Sequence, residues 1–295
     1  MQFNFVDGIE TLMPGDRLRA FHRVSPGEAQ APRVYGPAGC MLPMLVFEAV
    51  GQAAAWLIAE ATEHKRRLLV VMVPHLRLLA PAPQGSLLQL NAEIDQLRGD
   101  SVRFTGNVKI DGKPILTAEK VMGFLARLET LTDPEASMHD LEALMVAEAT
   151  HTRDDVFVPP ELLIDEIVAE QPGERIEAQT LVPTDAPQFA DHFPRRPLMP
   201  GSLLGEIVAQ LSARVVADGG DQQFSLTEVK RARFREPVVP GDTLWVVVTR
   251  NSDLGAYGEV FVDGDLKASG QFEFTPVEVD SVERARRARI WSSIS

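Results

Sequence analysis

The longest apolar run in the chain is MLPMLVFEAVGQAAAWLIAEA, 41–61, interrupted by Pro43, Glu48, Gln52 and Glu60. It approaches the length of a membrane span, but a helix enclosed by protein on all sides has the same composition, and the polar interruptions favour that reading. A second run of the same kind, SLLGEIVAQ, occupies 202–210. Elsewhere the pattern changes to alternation and β-rich runs. These predict strands over 86–97, 102–110 and 115–127, and again over 225–236, 243–250, 256–262 and 266–275. The Asp-Gly steps at 111–112 and 263–264 each lie between two such runs, which is a hairpin signal. Leu141, Leu144 and Met145 stand near helical spacing and predict a connecting helix within 136–149.

The pattern occurs twice because the sequence repeats itself. Shifted by 158 positions, FNFVDGIETLMPGDRLRA (3–20) lies over ELLIDEIVAEQPGERIEA (161–178). Asp7 meets Asp165, Pro14-Gly15 meets Pro172-Gly173, and Arg17 meets Arg175. Without a gap the register continues through Met41 over Met199, Leu45 over Leu203, Glu48 over Glu206 and Gln52 over Gln210. LLAPAPQGSLLQL (78–90) then resembles RFREPVVPGDTLWVV (233–247) with small deletions. Each half therefore reads as a short opening segment, a Pro-Gly turn, a strand, a proline-rich loop, one apolar helix and a run of antiparallel strands. That order predicts an α+β class with a helix packed on a curved sheet in each half. The expected boundaries are 1–130 for the first half, 131–158 for a linker, 159–278 for the second half and 279–295 for a basic C-terminal tail.

A length of 295 residues, about twice a typical domain of roughly 150, agrees with two units. The net charge of −13 argues against a nucleic-acid partner, which needs a basic footprint. Basic residues are nevertheless clustered at Arg195 and Arg196, at KRARFRE (230–236) and at VERARRARI (282–290), as solvated faces, a surface helix or a contact for an acidic partner. The single cysteine, Cys40, reads as a small buried hydrophobe in a reducing compartment, and the N-terminus shows no secretory pattern, so a cytoplasmic location is expected. No Cys pair or His-x-x-x-His suggests a metal site, and no Gly-rich phosphate loop or Gly-x-Ser-x-Gly elbow is present. His22, His64 and His75 belong to no motif and read as surface or packing residues. His139 and His151 read as solvent-exposed linker residues.

One segment carries chemistry. HFPRRPLMPGSLLGEIVAQ, beginning at His192, closely resembles the active-site segment of bacterial β-hydroxyacyl-acyl-carrier-protein dehydratases of the FabA/FabZ type. The matching residues are His192, Phe193, Pro194, Pro197, Met199, Pro200, Gly201 and Glu206. A glutamate rather than an aspartate at the last position resembles the FabZ branch, which dehydrates without isomerising. The resemblance extends over both halves and weakens across 128–160 and after about 276. It implies a hotdog fold, a long helix wrapped by an antiparallel sheet, here as a tandem that supplies both members of the functional dimer.

Dehydration of a 3-hydroxyacyl thioester needs a base for the C2 proton, an acid for the C3 hydroxyl and a donor for the enolate-like oxygen. A histidine suits the base. A glutamate on an apolar helix suits the acid, because burial disfavours a carboxylate's charge. Gly201, following Pro200 at a helix start, suits the donor. In the family the histidine of one hotdog works with the acid of the other, which implies a site of His192, Gly201 and Glu48. The second pocket would hold Glu206, but Val34 stands where its histidine would be and Leu42-Pro43 stands for Pro200-Gly201. One working site per chain is therefore expected, with Tyr35 placed to fill the other. Gln52 and Gln210, four residues past their glutamates, read as supporting groups or packing.

The resemblance implies no cofactor and a substrate carried on acyl carrier protein, an acidic partner. Arg195, Arg196, Lys230, Arg231, Arg233 and Arg235 are the candidate contacts for it. A homo-oligomer of double hotdogs is compatible with the tandem. Two other readings compete: a hotdog acyl thioesterase, and a non-catalytic acyl-binding or scaffold protein.

Overall fold

The computed structural model describes residues 3–30, 34–149, 157–160, 163–218, 220, 222–279 and 281–294. His151 lies outside them. The first half runs β1 (Gly8–Met13), β2 (Arg17–Arg23), α1 (Pro26–Gln30), α2 (Pro43–Ala61), β3 (Arg66–Leu78), β4 (Leu87–Arg98), β5 (Ser101–Ile110) and β6 (Lys113–Arg127). α3 (Pro134–Val146) follows, where the connecting helix is expected. The second half runs β7 (Glu166–Gln171), β8 (Arg175–Leu181), α4 (Gly201–Ala217), β9 (Gln223–Phe234), β10 (Thr243–Ser252), β11 (Gly255–Val262) and β12 (Asp265–Val277). α5 (Ser281–Ser292) ends the chain.

The twelve strands form one sheet in the order β1-β2-β4-β5-β6-β3-β9-β12-β11-β10-β8-β7, antiparallel throughout. The order reads the same from either end, half for half, so a pseudo-twofold axis passes between β3 and β9. α2 packs on β2–β6, α4 packs on β8–β12, and the two helices touch each other. This is the double hotdog. α2 is long and apolar enough to cross a membrane by composition, but most of it is buried inside the protein.

Local chemistry sets the element ends. Pro43 opens α2, and Asp133 caps α3 by accepting the Glu135 N–H at 3.1 Å with Pro134 in the first turn. Asp111-Gly112 and Asp263-Gly264 turn the β5–β6 and β11–β12 hairpins with all four residues at positive φ, as a type I′ turn requires.

Each helix packs tightly over a glycine of its sheet. A Cβ built on Gly106 of β5 would lie 2.3 Å from Val50 Cγ1, and one on Gly258 of β11 would lie 2.2 Å from Val208 Cγ1. Gly106→Ala should therefore cost about 1–3 kcal/mol by overpacking. Chemical denaturation checks this, and an unchanged midpoint would show that Val50 can retreat.

β3 is not among the strands that the hydrophobic pattern predicts. Pro74 in its middle is unexpected in a central strand. Pro74 is tolerated because it sits at an irregularity, where the pairing of β3 skips from Val73 to His75 against β9 and from Met72 to His75 against β6. Lys120 and Arg231, on the two flanking strands, take positive φ at the same level.

The basic C-terminal segment is a helix with most of its residues exposed, but one of its arginines is not solvated. It forms α5, and Arg287 is only 2% exposed, donating to the Gly36 carbonyl, to Gln223 Oε1 at 2.9 Å and to Glu283 at 3.0 Å.

Candidate active site

A cavity of about 530 Å³ lies between the halves. Glu48 and Gln52 reach it from α2, His192 and Phe193 from the loop before α4, and Gly201 and Ser202 from the first turn of α4. Phe47, Trp56, Leu68 and Leu69 supply apolar wall. His192, Glu48 and Gly201 thus line one space, although His192 and Glu48 are far apart in the chain.

The loop fixes the imidazole. The His192 backbone N–H donates to Gln188 O at 2.8 Å, and the Leu198 N–H donates back to His192 O at 3.0 Å. Nδ1 lies 2.8 Å from Leu198 O, so it carries the proton and donates, and Nε2 keeps its lone pair. The ring stacks on Phe193 at 4.2 Å between centroids.

Burial holds the imidazole below its ordinary pKa of 6.5. Glu48 and the Leu198 carbonyl oppose that shift, and the charge of Arg67 adds to it. At neutral pH the ring is therefore neutral and ready to accept a proton. If it acts as the base, the acidic limb of kcat/KM should lie below 6.5, since activity is lost only when Nε2 protonates. A pH–rate profile with that limb at about 7 or above would contradict the role.

Glu48 is held from both halves. Ser202 Oγ, from α4, donates to Glu48 Oε2 at 2.7 Å, and Gln52 Nε2 donates to Oε1 at 3.1 Å. Gln52 is anchored by accepting the Phe5 N–H at 2.8 Å and donating to Phe3 O at 3.2 Å. A serine hydroxyl can donate or accept, so it can follow Glu48 through a change of protonation. The N–H groups of Gly201 and Ser202 open α4 and have no acceptor within the helix. They sit at the positive end of the helix dipole, suited to an oxygen that gains negative charge.

The matching place in the other half is closed. Glu206 is fully buried, accepting the Tyr35 hydroxyl at 2.9 Å and the Gln210 amide at 3.5 Å. Gln210 accepts the Leu163 N–H at 3.1 Å, as Gln52 does for Phe5. Val34 is buried, and the Tyr35 ring packs edge-on to Phe274. Pro43 opens α2 where Gly201 opens α4, and proline has no N–H to offer. Among the described residues that place has no base and no N–H where Gly201 offers one, and its acid is bonded to tyrosine.

The basic residues divide. Arg196 and Arg235 line the cavity. Arg195 is tied to Asp133 at 3.1 Å and to the Glu129 carbonyl at 3.0 Å, and Arg231 and Arg233 are exposed. Lys230 sits between Glu228 and Glu273, and His75 approaches Glu228 at 3.6 Å, so Lys230 belongs to a charge ladder on the sheet rather than to the cavity.

The structure adds Ser202 and Arg67 to the residues expected from sequence. Ser202 had a visible signal, as the polar residue directly after Gly201 where the first half has Met44. Arg67 had none. His22 and His64 are buried against polar partners, Asp7 and Glu28 for the first and Ser137 and Glu60 for the second, and His139 is exposed.

Residues 159–272 match the model of the FabA-like domain. Over those residues the second half of the chain is similar to a FabA-like domain. It carries His192, Gly201 and Glu206, and the repeat relates the first half to it. Among solved structures, a putative oleoyl thioesterase from Lactobacillus plantarum superposes with a TM-score of 0.59 at 12% identity, covering 90% of this chain and 98% of that one. The 12:0-ACP thioesterase from Umbellularia californica gives 0.55 at 13%, covering 90% and 100%. A fusion DH domain gives 0.51 at 15%, covering 96% and 97%. At these identities the likeness concerns the fold. It also spans both hotdogs, whereas the FabA-like match spans the second.

Proposed function

We propose that the chain dehydrates 3-hydroxyacyl thioesters to 2-enoyl thioesters at one site, formed by the FabA-like domain and α2 of the first half. The observation that carries this reading is the His192 ring, its Nε2 lone pair free, in the same cavity as Glu48 and the opening turn of α4. Nε2 takes the C2 proton, and the electron pair forms the C2–C3 double bond as the C3–O bond breaks. Glu48 delivers a proton to the departing hydroxyl, which leaves as water. The Gly201 N–H donates to the thioester oxygen while it carries enolate charge. Proton transfer from the imidazolium to the carboxylate, directly or through solvent, restores both groups.

Carriage on acyl carrier protein belongs to the same proposal, with Arg196 and Arg235 at the cavity as contacts for an acidic carrier. Charge reversal at both should raise KM for a carrier-bound substrate, and added salt should weaken the same interaction. An unchanged KM would remove this part.

A thioesterase is the second reading, and the names of two of the structural neighbours favour it. The same histidine and glutamate would then activate water. Product analysis on a 3-hydroxyacyl thioester separates the two. A 2-enoyl thioester supports dehydration, free thiol supports hydrolysis, and neither product leaves an acyl-binding protein.

A further inference from the structure

Arg67, near the start of β3, lines the cavity. Its guanidinium carbon packs 5.2 Å from the centroid of the Trp56 ring and 5.7 Å from that of Phe193. Both rings are cavity wall too. Rings against the guanidinium plane leave its edge, which carries the N–H donors. Among the described residues no group forms a hydrogen bond or an ion pair with it. Burial lowers its pKa to about 10, with Glu48 and Asp140 opposing, so it remains a cation at neutral pH. Arg67 is half-buried, so its guanidinium keeps access to the cavity, where an anionic ligand could meet the N–H donors that the protein leaves without an acceptor.

The repeat supplies an internal control. The offset that relates the turn glycines Gly85 and Gly241, both at positive φ, lays Arg67 over Gln223. In the closed half Gln223 accepts a hydrogen bond from Arg287 of α5, which also donates to Gly36. There, the polar groups satisfy one another. In the open half α3 follows β6 as α5 follows β12, and it brings Asp140 to the cavity, but no bond joins Asp140 to Arg67. The half that keeps the histidine also keeps a cation that faces the cavity and has no protein acceptor among the described residues.

We propose that Arg67 forms an oxyanion subsite in the cavity and determines specificity by binding a carboxylate or phosphate oxygen carried by the acyl thioester. The proposal rests on the acyl-thioester reading of the cavity and adds a charged feature to the ligand. Two parts of such a ligand can supply the oxyanion: a carboxylate on the acyl chain, or the phosphate of the carrier arm. The planar, multi-donor edge of the guanidinium suits either, and lysine in its place would lose the bidentate geometry.

The test uses unreactive ligands in which an amide replaces the thioester: octanoyl pantetheine amide, the same compound with a terminal carboxylate on the acyl chain, and the same compound with a phosphate on the pantetheine arm. Isothermal titration of the full-length protein reads binding without turnover. The wild type should bind one anionic ligand about 10- to 100-fold more tightly than the neutral one, and the favoured ligand names the source. Arg67→Met should abolish that preference and change neutral-ligand affinity less than about 3-fold, with Arg67→Lys intermediate. Equal affinity of the wild type for all three ligands overturns the subsite, as does an equal loss for all three in Arg67→Met. If Arg67→Met does not fold, the wild-type comparison decides alone. An intact anion preference in a protein that performs no elimination would sink the dehydratase reading and keep the subsite.

Discussion

His192→Ala should lower kcat for elimination from a 3-hydroxyacyl thioester by roughly 10²- to 10⁴-fold, the contribution of a positioned general base. The substitution removes Nε2 but leaves the backbone bonds from His192 to Gln188 and Leu198, so the loop and the Gly201 turn keep their support. The loss should therefore fall on kcat more than on KM. The closed half cannot compensate. Val34 accepts no proton, Pro43 offers no N–H, and Tyr35 already bonds Glu206. Single-turnover rates on the wild type and the variant check this, with a melting curve as the control for folding. A variant within about 3-fold of the wild type would remove His192 from the chemistry.

The largest expected effect on stability lies away from the cavity. His22 is 1% exposed, with Nδ1 3.1 Å from Asp7 and Nε2 3.0 Å from Glu28. These contacts are close enough for ion pairs but are bent away from hydrogen-bond alignment. Burial alone would push the imidazole pKa down, but the two carboxylates outweigh it and raise the value to about 9. The folded protein therefore holds this proton more tightly than the unfolded chain does, where the value is 6.5. Its stabilisation is complete below pH 6.5 and is lost as pH rises through about 9.

His22→Gln removes the cation that the two buried carboxylates share. It should cost about 3–5 kcal/mol, on the order of 10 °C in Tm. It should also flatten the fall in stability between pH 6.5 and about 9. Equal slopes for wild type and variant over that window would show that His22 is not the titrating group. The second half makes the same corner without a titrating base, since Thr180 Oγ1 donates to Asp165 at 3.0 Å.

Much of this architecture is legible in the sequence because it rests on local signals and on the repeat. The apolar runs gave α2 and α4, alternation gave strands on either side of the Asp-Gly turns, and the ungapped register set Glu48 over Glu206. That register also marked Val34 and Pro43 as departures. What stayed hidden depends on contacts between segments far apart in the chain. Ser202 reaches Glu48 across 154 positions, and Tyr35, expected in the second pocket, bonds Glu206 across 171, a partner the sequence does not name. β3 was obscured by Pro74, whose irregularity is absorbed by residues on two other strands. Arg287 reads as one of several basic residues on a solvated face or surface helix, because charge pattern alone does not show that Gly36 and Gln223 lie beneath it. His22 lacked a motif because its partners surround it only after β1, β2 and α1 have assembled.

The division of labour between the halves is the central claim, and two parallel substitutions test it most directly. Glu48→Gln and Glu206→Gln are near-isosteric, and each replaces one carboxyl on one of the two helices. If the working site joins His192 to α2, Glu48→Gln should lose roughly 10²- to 10⁴-fold in kcat for 3-hydroxyacyl elimination. Glu206→Gln should then keep kcat within about 3-fold and act, if at all, on stability through its bond with Tyr35. Full activity in Glu48→Gln together with loss in Glu206→Gln would contradict the account.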